Sequence, residues 1–285
     1  MRRVLLAVIA VLMLTASQAI AAYEYAELDQ SVPGHARLTY LDLARLVFAD
    51  LHQDDGRYAG TPPEPVRHLV PGYEAAVGAG TVRFTNLAVT PARAGGKERL
   101  VVLIDVGTWS DLDESLALLC LFGFDDGAAK LLDVVNVGLD QSTFFRDPGT
   151  ISLGASESAV ATSSQHFNSN QSYDALALAL IRNDRFEHID DFWLISDRAC
   201  GWARYEVPTF SGQAVGNGFG DFTVTITDTL EVSKDAAAEC GDEKAPAAAY
   251  STEYRATYTW DPAQLKYTPD SDAIEKLEKR NEDRL

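Results

Sequence analysis

A polar segment, SSQHFNSNQSY at residues 163–173, holds most of the side chains with which this chain could recognise a ligand. The candidate ligand-binding residues in it are His166, Asn168, Asn170, Gln171 and Tyr173. They offer hydrogen-bond donors and acceptors but few charges, a set that suits neutral groups such as sugar hydroxyls and peptide amides. Asn and Ser are also common in turns because their side chains bond to nearby backbone. An ordinary turn is therefore the alternative interpretation of this segment.

Catalysis has weaker support, because the sequence contains no catalytic motif. A hydrolase would need a site assembled from distant residues, with His166 as base, Asp174 or Asp197 as acid, and a serine such as Ser164. The five histidines of the chain are scattered, with no pair at helical or strand spacing. The sequence therefore predicts no metal site and no cofactor. It favours a protein that is not an enzyme, with the hydrolase as an alternative.

The N-terminus has the pattern of a secretory signal peptide at residues 1–22. MRRVLLAVIAVLMLTASQAIAA combines two arginines, a short apolar stretch and small residues that fit an A-x-A cleavage site. The apolar stretch is shorter than the roughly 20 residues that a membrane-spanning helix needs. We therefore expect cleavage near Ala21 or Ala22 and export to a periplasm or to the outside of the cell.

The chain is strongly acidic, with 42 acidic residues, 24 basic residues and a formal net charge of −18. Such a charge repels nucleic acid and attracts cationic partners, although it also serves simply to keep an exported protein in solution. The expected partners are a glycan, a peptide or a cationic protein. No second long apolar segment follows the signal peptide, so we expect no transmembrane segment after its cleavage.

The three cysteines lie in two kinds of surroundings. Cys120, in LALLCLF, has the neighbours of a buried strand, whereas Cys200 and Cys240 each precede a glycine in a polar stretch. Because export leads to an oxidising compartment, we predict a disulfide between Cys200 and Cys240. Closing a loop of roughly 40 residues would stabilise the fold by about 4 kcal/mol. Three free thiols, or a different pairing, are the alternatives.

Most of the chain has the alternation of apolar and polar residues that is typical of β-strands. Several such runs are joined by turn sequences at Asp126-Gly127, Asn183-Asp184 and Asp261-Pro262, a pattern that predicts hairpins. We expect a mainly β fold, an antiparallel hairpin-rich sheet or β-sandwich, in a single domain over residues 23–285. Residues 53–73, rich in proline and glycine, are expected to form a surface loop.

Two segments indicate helices. LTYLDLARLVFADLH repeats apolar residues at helical spacing, with Thr39 as a candidate cap. SDAIEKLEKRNEDRL places Asp272 and Glu275 at capping-box spacing and predicts a short helix over about residues 271–284. Only a narrow apolar stripe, Ile274 and Leu277, lies on one face of this second helix, so we expect it to dock weakly or fray.

Three segments carry a resemblance. SSQHFNSNQSY, FWLISDRACGW and YTWDPAQLKYTPDSDAIEKLEKRNEDR resemble stretches of uncharacterised exported bacterial β-rich proteins. The resemblance implies export and a β-rich fold, and it implies no catalytic residue. We therefore expect an exported binding or accessory module, with a hydrolase and a structural or adhesive cell-surface domain as alternatives.

Overall fold

The computed structural model describes residues 23–74, 80–108, 115–125, 127–213, 216, 218–233 and 248–283. The expected signal peptide, residues 1–22, lies outside these ranges, so its cleavage stays a prediction. The described part is mainly β, with antiparallel sheets, one helix near the N-terminus and one at the C-terminus. The predicted fold class is confirmed.

The first part of the chain forms short strands and a helix. They are β1 (Glu24–Ala26), β2 (Ser31–Val32), β3 (His35–Thr39), α1 (Tyr40–Val47), β4 (His52–Asp54), β5 (Arg57–Gly60) and β6 (Val82–Phe84). The predicted cap of α1 is confirmed. The Thr39 hydroxyl accepts a hydrogen bond from the Asp42 N–H at 3.3 Å, and the Asp42 carboxylate accepts one from the Thr39 N–H at 2.9 Å.

A five-stranded sheet follows, in the order β1-β7-β8-β9-β10. Its further strands are β7 (Leu87–Ala94), β8 (Lys97–Thr108), β9 (Ser115–Asp125) and β10 (Ala128–Asn136). Strands β9 and β10 pair directly across residues 126–127, so this predicted hairpin is confirmed. Cys120 lies in β9, where it is fully buried and free, in agreement with its apolar surroundings.

The rest of the chain forms an eight-stranded antiparallel sheet in which each strand pairs with the next one along the chain. Its strands are β11 (Ser142–Ser152), β12 (Ser158–Asn168), β13 (Gln171–Arg182), β14 (Arg185–Ala199), β15 (Trp202–Gly212), β16 (Phe222–Val232), β17 (Tyr250–Asp261) and β18 (Lys266–Pro269). The predicted hairpins at Asn183-Asp184 and after Asp261 are confirmed as β13-β14 and β17-β18.

The two large sheets pack face to face. Val101 and Leu119 of the five-stranded sheet share one buried cluster with Val160 and Ala179 of the eight-stranded sheet. Apolar side chains that alternate along each strand reach this interface because successive residues point to opposite faces. Helix α1 covers the outer face of the five-stranded sheet. A second helix, α2 (Ala273–Glu282), covers the outer face of the eight-stranded sheet.

The expectations for residues 53–73 and for the second helix are wrong. Residues 53–73 are not simply a surface loop, because β4 and β5 pair as a hairpin around Asp55, which adopts a positive φ of 48°. The alternation in this hairpin is too short to stand out among the prolines and glycines nearby. Helix α2 does not fray over Ala273–Glu282: Leu277 and Asn281 are fully buried against the sheet.

The predicted capping box of α2 is also absent. Asp272 precedes the helix but makes no side-chain hydrogen bond to its first turn. Its carboxylate lies 2.8 Å from the Lys276 ammonium, an ion pair of the i,i+4 type. The Asp272 carboxylate therefore contacts the Lys276 side chain rather than a backbone N–H of the first turn.

Candidate functional site

The polar segment at residues 163–173 is the end of a hairpin. Strands β12 and β13 place His166 opposite Tyr173 and Asn168 opposite Gln171, and Ser169 in the turn between them has a φ of 49°. Opposite residues in antiparallel strands share a face. The four paired side chains therefore lie on one side of the sheet, and Asn170 lies in the turn. The alternative interpretation of this segment as an ordinary turn therefore holds only for Ser169 and Asn170 at the tip of the hairpin.

A row of residues continues from this hairpin across the eight-stranded sheet. Directly paired residues in β12 to β17 form it: Asn168, Gln171, Asp197, Arg204, Leu230 and Tyr250. Because each pair shares a face, the six side chains lie side by side on one end of the sheet. All six line a cleft of about 650 Å³, together with Asn170, Arg198 and Trp202.

Three of the five predicted ligand-binding residues therefore lie in this cleft. They are Asn168, Asn170 and Gln171. Tyr173 supports the cleft from beside it, because its hydroxyl donates a hydrogen bond to Gln171 Oε1 at 3.1 Å. His166 is not a lining residue. Its Nδ1 lies 3.1 Å from Asp140 Oδ1, a contact that the sequence did not predict.

The groups of the alternative hydrolase site do not come together. Ser164 is buried, its Oγ lies 2.8 Å from Thr143 Oγ1, and that Oγ accepts a hydrogen bond from the Leu139 N–H at 3.0 Å. Asp174 lies opposite Gln165, one position away from His166, and forms an ion pair with Arg146. Asp140, rather than Asp174 or Asp197, therefore orients the histidine.

A buried charged network forms the wall of the cleft. The Arg204 guanidinium donates through Nε to Asp228 at 2.7 Å and through Nη2 to Glu206 and to Asn281, the last at 3.0 Å. Asn281 in turn donates to Glu206 at 2.9 Å. Burial alone would lower the pKa of Arg204, but its bonds to Asp228 and Glu206 overcome that effect and raise it. Arg204 is therefore held as a cation.

Helix α2 supplies further contacts to this wall. Arg280 donates to Asp228 at 3.2 Å and to the Tyr254 hydroxyl at 2.6 Å. Tyr250, at the far end of the row, donates its hydroxyl to Asp228 at 3.1 Å. Asp228 thus joins the helix, the cleft wall and the last side chain of the row. Arg204 and Tyr250 therefore both contact α2, through Asn281 and Arg280 respectively.

A second, smaller cavity of about 310 Å³ lies between α2 and the sheet. Its lining includes Asp190, Asp191, Tyr258 and Glu278. Burial, followed by the charges of Asp190 and Asp191, raises the pKa of Glu278 to about 7, although its carboxylate accepts a hydrogen bond from the Trp193 N–H at 3.0 Å. Burial also raises the pKa of Asp190, against a 2.5 Å hydrogen bond from Tyr258.

The described ranges hold no metal-binding cluster and no membrane-spanning helix. Among those residues no group of three or more His, Cys, Asp and Glu side chains is arranged to hold a metal ion. None of the helices in that part of the chain has the length and apolar character needed to cross a membrane. Cys200 is not a free thiol, and Cys240 lies outside the described ranges, so the pairing of the two stays a prediction.

Comparison of the chain with protein-family models, with curated proteins and with solved structures gave no match.

Proposed function

We propose that the chain is an exported, non-catalytic binding module that holds a polar ligand in the cleft at the end of the eight-stranded sheet. The observation that carries the proposal is the cross-strand row from Asn168 to Tyr250, which brings residues of six consecutive strands to one cleft. The volume of the cleft, about 650 Å³, falls within the range of about 300–1,000 Å³ that is usual for ligand pockets.

The lining chemistry supports recognition of hydroxyl or amide groups. Asn168, Asn170 and Gln171 offer both donors and acceptors, and the Tyr173 hydroxyl fixes the side chain of Gln171. Trp202 is partly exposed in the cleft, where its ring offers an apolar surface with a single donor. Amides around an aromatic surface suit a glycan, with a peptide as the alternative ligand.

The structure offers less support for the two other functions. A hydrolase around His166 would have its orienting carboxylate in Asp140, but Ser164 is buried and its oxygen is engaged by Thr143 and Leu139. An adhesive domain would present a broad apolar surface. Tyr25, Leu46 and Phe167, which are exposed, belong to three different elements of the chain. Neither alternative uses the cleft.

The proposal includes the expected signal peptide and the disulfide. Cys200 stands in the turn between β14 and β15, beside the lining residues Ala199 and Trp202. A bond from Cys200 to Cys240 would restrain this turn and thus the rim of the cleft. Export to a periplasm or beyond the cell supplies the oxidising conditions that such a bond requires.

The experiment is calorimetric titration of the mature chain with neutral oligosaccharides and short peptides. The double variant Asn168→Ala, Gln171→Ala is expected to bind the best ligand at least about tenfold more weakly, because two hydrogen bonds are lost. The matched control is Gln53→Ala, which removes an exposed glutamine of β4 outside the cleft. Equal affinity in the double variant and the control would overturn the proposal.

A further inference from the structure

We propose that the ligand of the cleft carries a carboxylate, and that it is an acidic sugar held by Arg198 and Arg204. This inference rests on the proposed function and adds the charge and class of its ligand. It starts from two donor groups of the cleft that lack an acceptor among the described residues.

The first of these donors is the exposed guanidinium of Arg198 at the rim. Its backbone is fixed, because the Arg198 N–H donates to the Asn170 carbonyl at 3.0 Å. Its side chain extends over the Phe167 ring, with 6.0 Å between the guanidinium carbon and the ring centre. It forms no ion pair with any residue that the structure describes. In a chain with a net charge of −18, an exposed arginine at a cleft is a distinct positive feature.

The second donor belongs to Arg204 in the cleft wall. This residue is 5% exposed, and its Nε and Nη2 are occupied by Asp228, Glu206 and Asn281. Its remaining nitrogen, Nη1, is buried and has no hydrogen-bond partner in the described part of the chain. A buried donor without an acceptor destabilises a protein. Because Arg204 lines the cleft, a small shift of its side chain would let Nη1 donate to an oxygen atom bound there.

A carboxylate is the group that best satisfies such donors. Hydrogen bonds from arginine to ionised oxygens are about twice as strong as bonds between neutral groups, and the planar guanidinium matches the carboxylate fork. Asp197 also lines the cleft and would repel a carboxylate on its own side. It can accept hydrogen bonds from hydroxyl groups instead. One carboxylate beside several hydroxyls is the composition of an acidic sugar.

The test uses calorimetric titration of the mature chain with three probes: trigalacturonic acid, its methyl ester and neutral galactotriose. We expect the acid to bind at least about tenfold more tightly than the ester, because a charged hydrogen bond is lost on esterification. Its affinity should fall as NaCl is added, since screening weakens the local attraction. A peptide with a free C-terminus and the corresponding peptide amide form a second pair of probes.

The variant Arg198→Gln is expected to lose the preference for the acid over the ester while it keeps its affinity for the ester. Arg185→Gln is the matched control, because Arg185 is exposed at the opposite end of the same hairpin strands. This control should bind all probes as the unmodified chain does. Both exposed sites leave the buried network intact, so folding is preserved.

Three results would overturn the inference. Equal affinity for acid, ester and neutral sugar would show that the cleft does not recognise a carboxylate. The proposed function would then still hold. No binding of any sugar or peptide would overturn the proposed function as well. Binding of the free peptide alone would assign the carboxylate to a peptide end and reject the acidic sugar.

Discussion

Asn281, near the end of the C-terminal helix, accepts a hydrogen bond from Arg204 at 3.0 Å and so connects that helix to the wall of the cleft. Both side chains are buried. The contact means that helix α2 is not a terminal appendage, because it fixes a lining residue of the proposed binding site. Stability of the helix and geometry of the cleft should therefore change together.

The first prediction concerns this contact. Asn281→Ala leaves Arg204 and Glu206 each without one buried hydrogen bond, so the free energy of unfolding should fall by about 1–3 kcal/mol. Urea unfolding followed by circular dichroism measures it. The control is Lys279→Ala, an exposed position of the same helix that should change stability by less than about 0.5 kcal/mol. Equal stability of the two variants would contradict the proposed anchoring of α2.

The second prediction concerns pH. The folded chain holds Glu278 with a pKa of about 7, whereas an unfolded glutamate ionises near about pH 4.3. Between those values the folded state binds more protons, so the free energy of unfolding falls as pH rises. In Glu278→Gln this contribution disappears. Because Glu278 is partly exposed, we expect the unmodified chain to lose about 1–2 kcal/mol relative to the variant from pH 4 to pH 8.

Urea unfolding at intervals across that range provides the measurement. Glu275→Gln, an exposed position on the same helix, should follow the unmodified chain at every pH. A constant difference between Glu278→Gln and the unmodified chain from pH 4 to pH 8 would show that Glu278 has an ordinary pKa in the folded state.

The strands and turns of the large sheets could be predicted from the sequence because their signals are local. The alternation of apolar and polar residues indicates which face of each strand is buried. The turn Asn183-Asp184 supplies two residues that tolerate positive φ, which is 52° and 59° in the structure. The hairpin around Asp55 was missed because its strands are only three and four residues long. The pairing of the two sheets through Val101 and Val160 depends on distant residues, and no local pattern shows it.

The candidate site was predictable in part for the same reason. Asn168, Asn170 and Gln171 are close in sequence, so the polar composition of that segment was enough to predict that they cluster. Arg204 and Glu206 alternate along β15 as residues of a solvated strand face do, yet both are buried and both contact Asn281 of α2. Neither residue carries a local signal for that burial.

The third prediction concerns the contact between the two sheets at Asp184. Its carboxylate accepts hydrogen bonds from Arg99 Nε and Nη2 at 2.8 and 2.7 Å, and the Arg99 side chain is only 7% exposed. Asp184→Ala leaves a buried charge without this partner, so we expect a loss of about 2 kcal/mol in thermal or urea unfolding.

The matched control for that variant is Asp55→Ala. Asp55 is also an aspartate in a hairpin turn at positive φ, but it forms no ion pair with the residues that the structure describes. Its replacement isolates the cost of backbone strain. Equal losses for the two variants would mean that Arg99 contributes nothing through Asp184.

The fourth prediction concerns the thiols. Burial raises the pKa of Cys120 well above its usual range and shields it from reagents. With Cys200 and Cys240 bonded, the native mature chain should show no fast reaction with a thiol reagent, and one thiol per chain after unfolding without reductant. Reductant should lower the melting temperature. Titration of three thiols in the unreduced, unfolded chain would contradict the disulfide.

The most direct measurement of the central claim is a crystal structure of the mature chain with its tightest-binding oligosaccharide. We expect ligand density in the cleft at the end of the eight-stranded sheet, in contact with Gln171 and Trp202. Density at another site, such as the cavity beneath α2, with no ligand in the cleft, would contradict it.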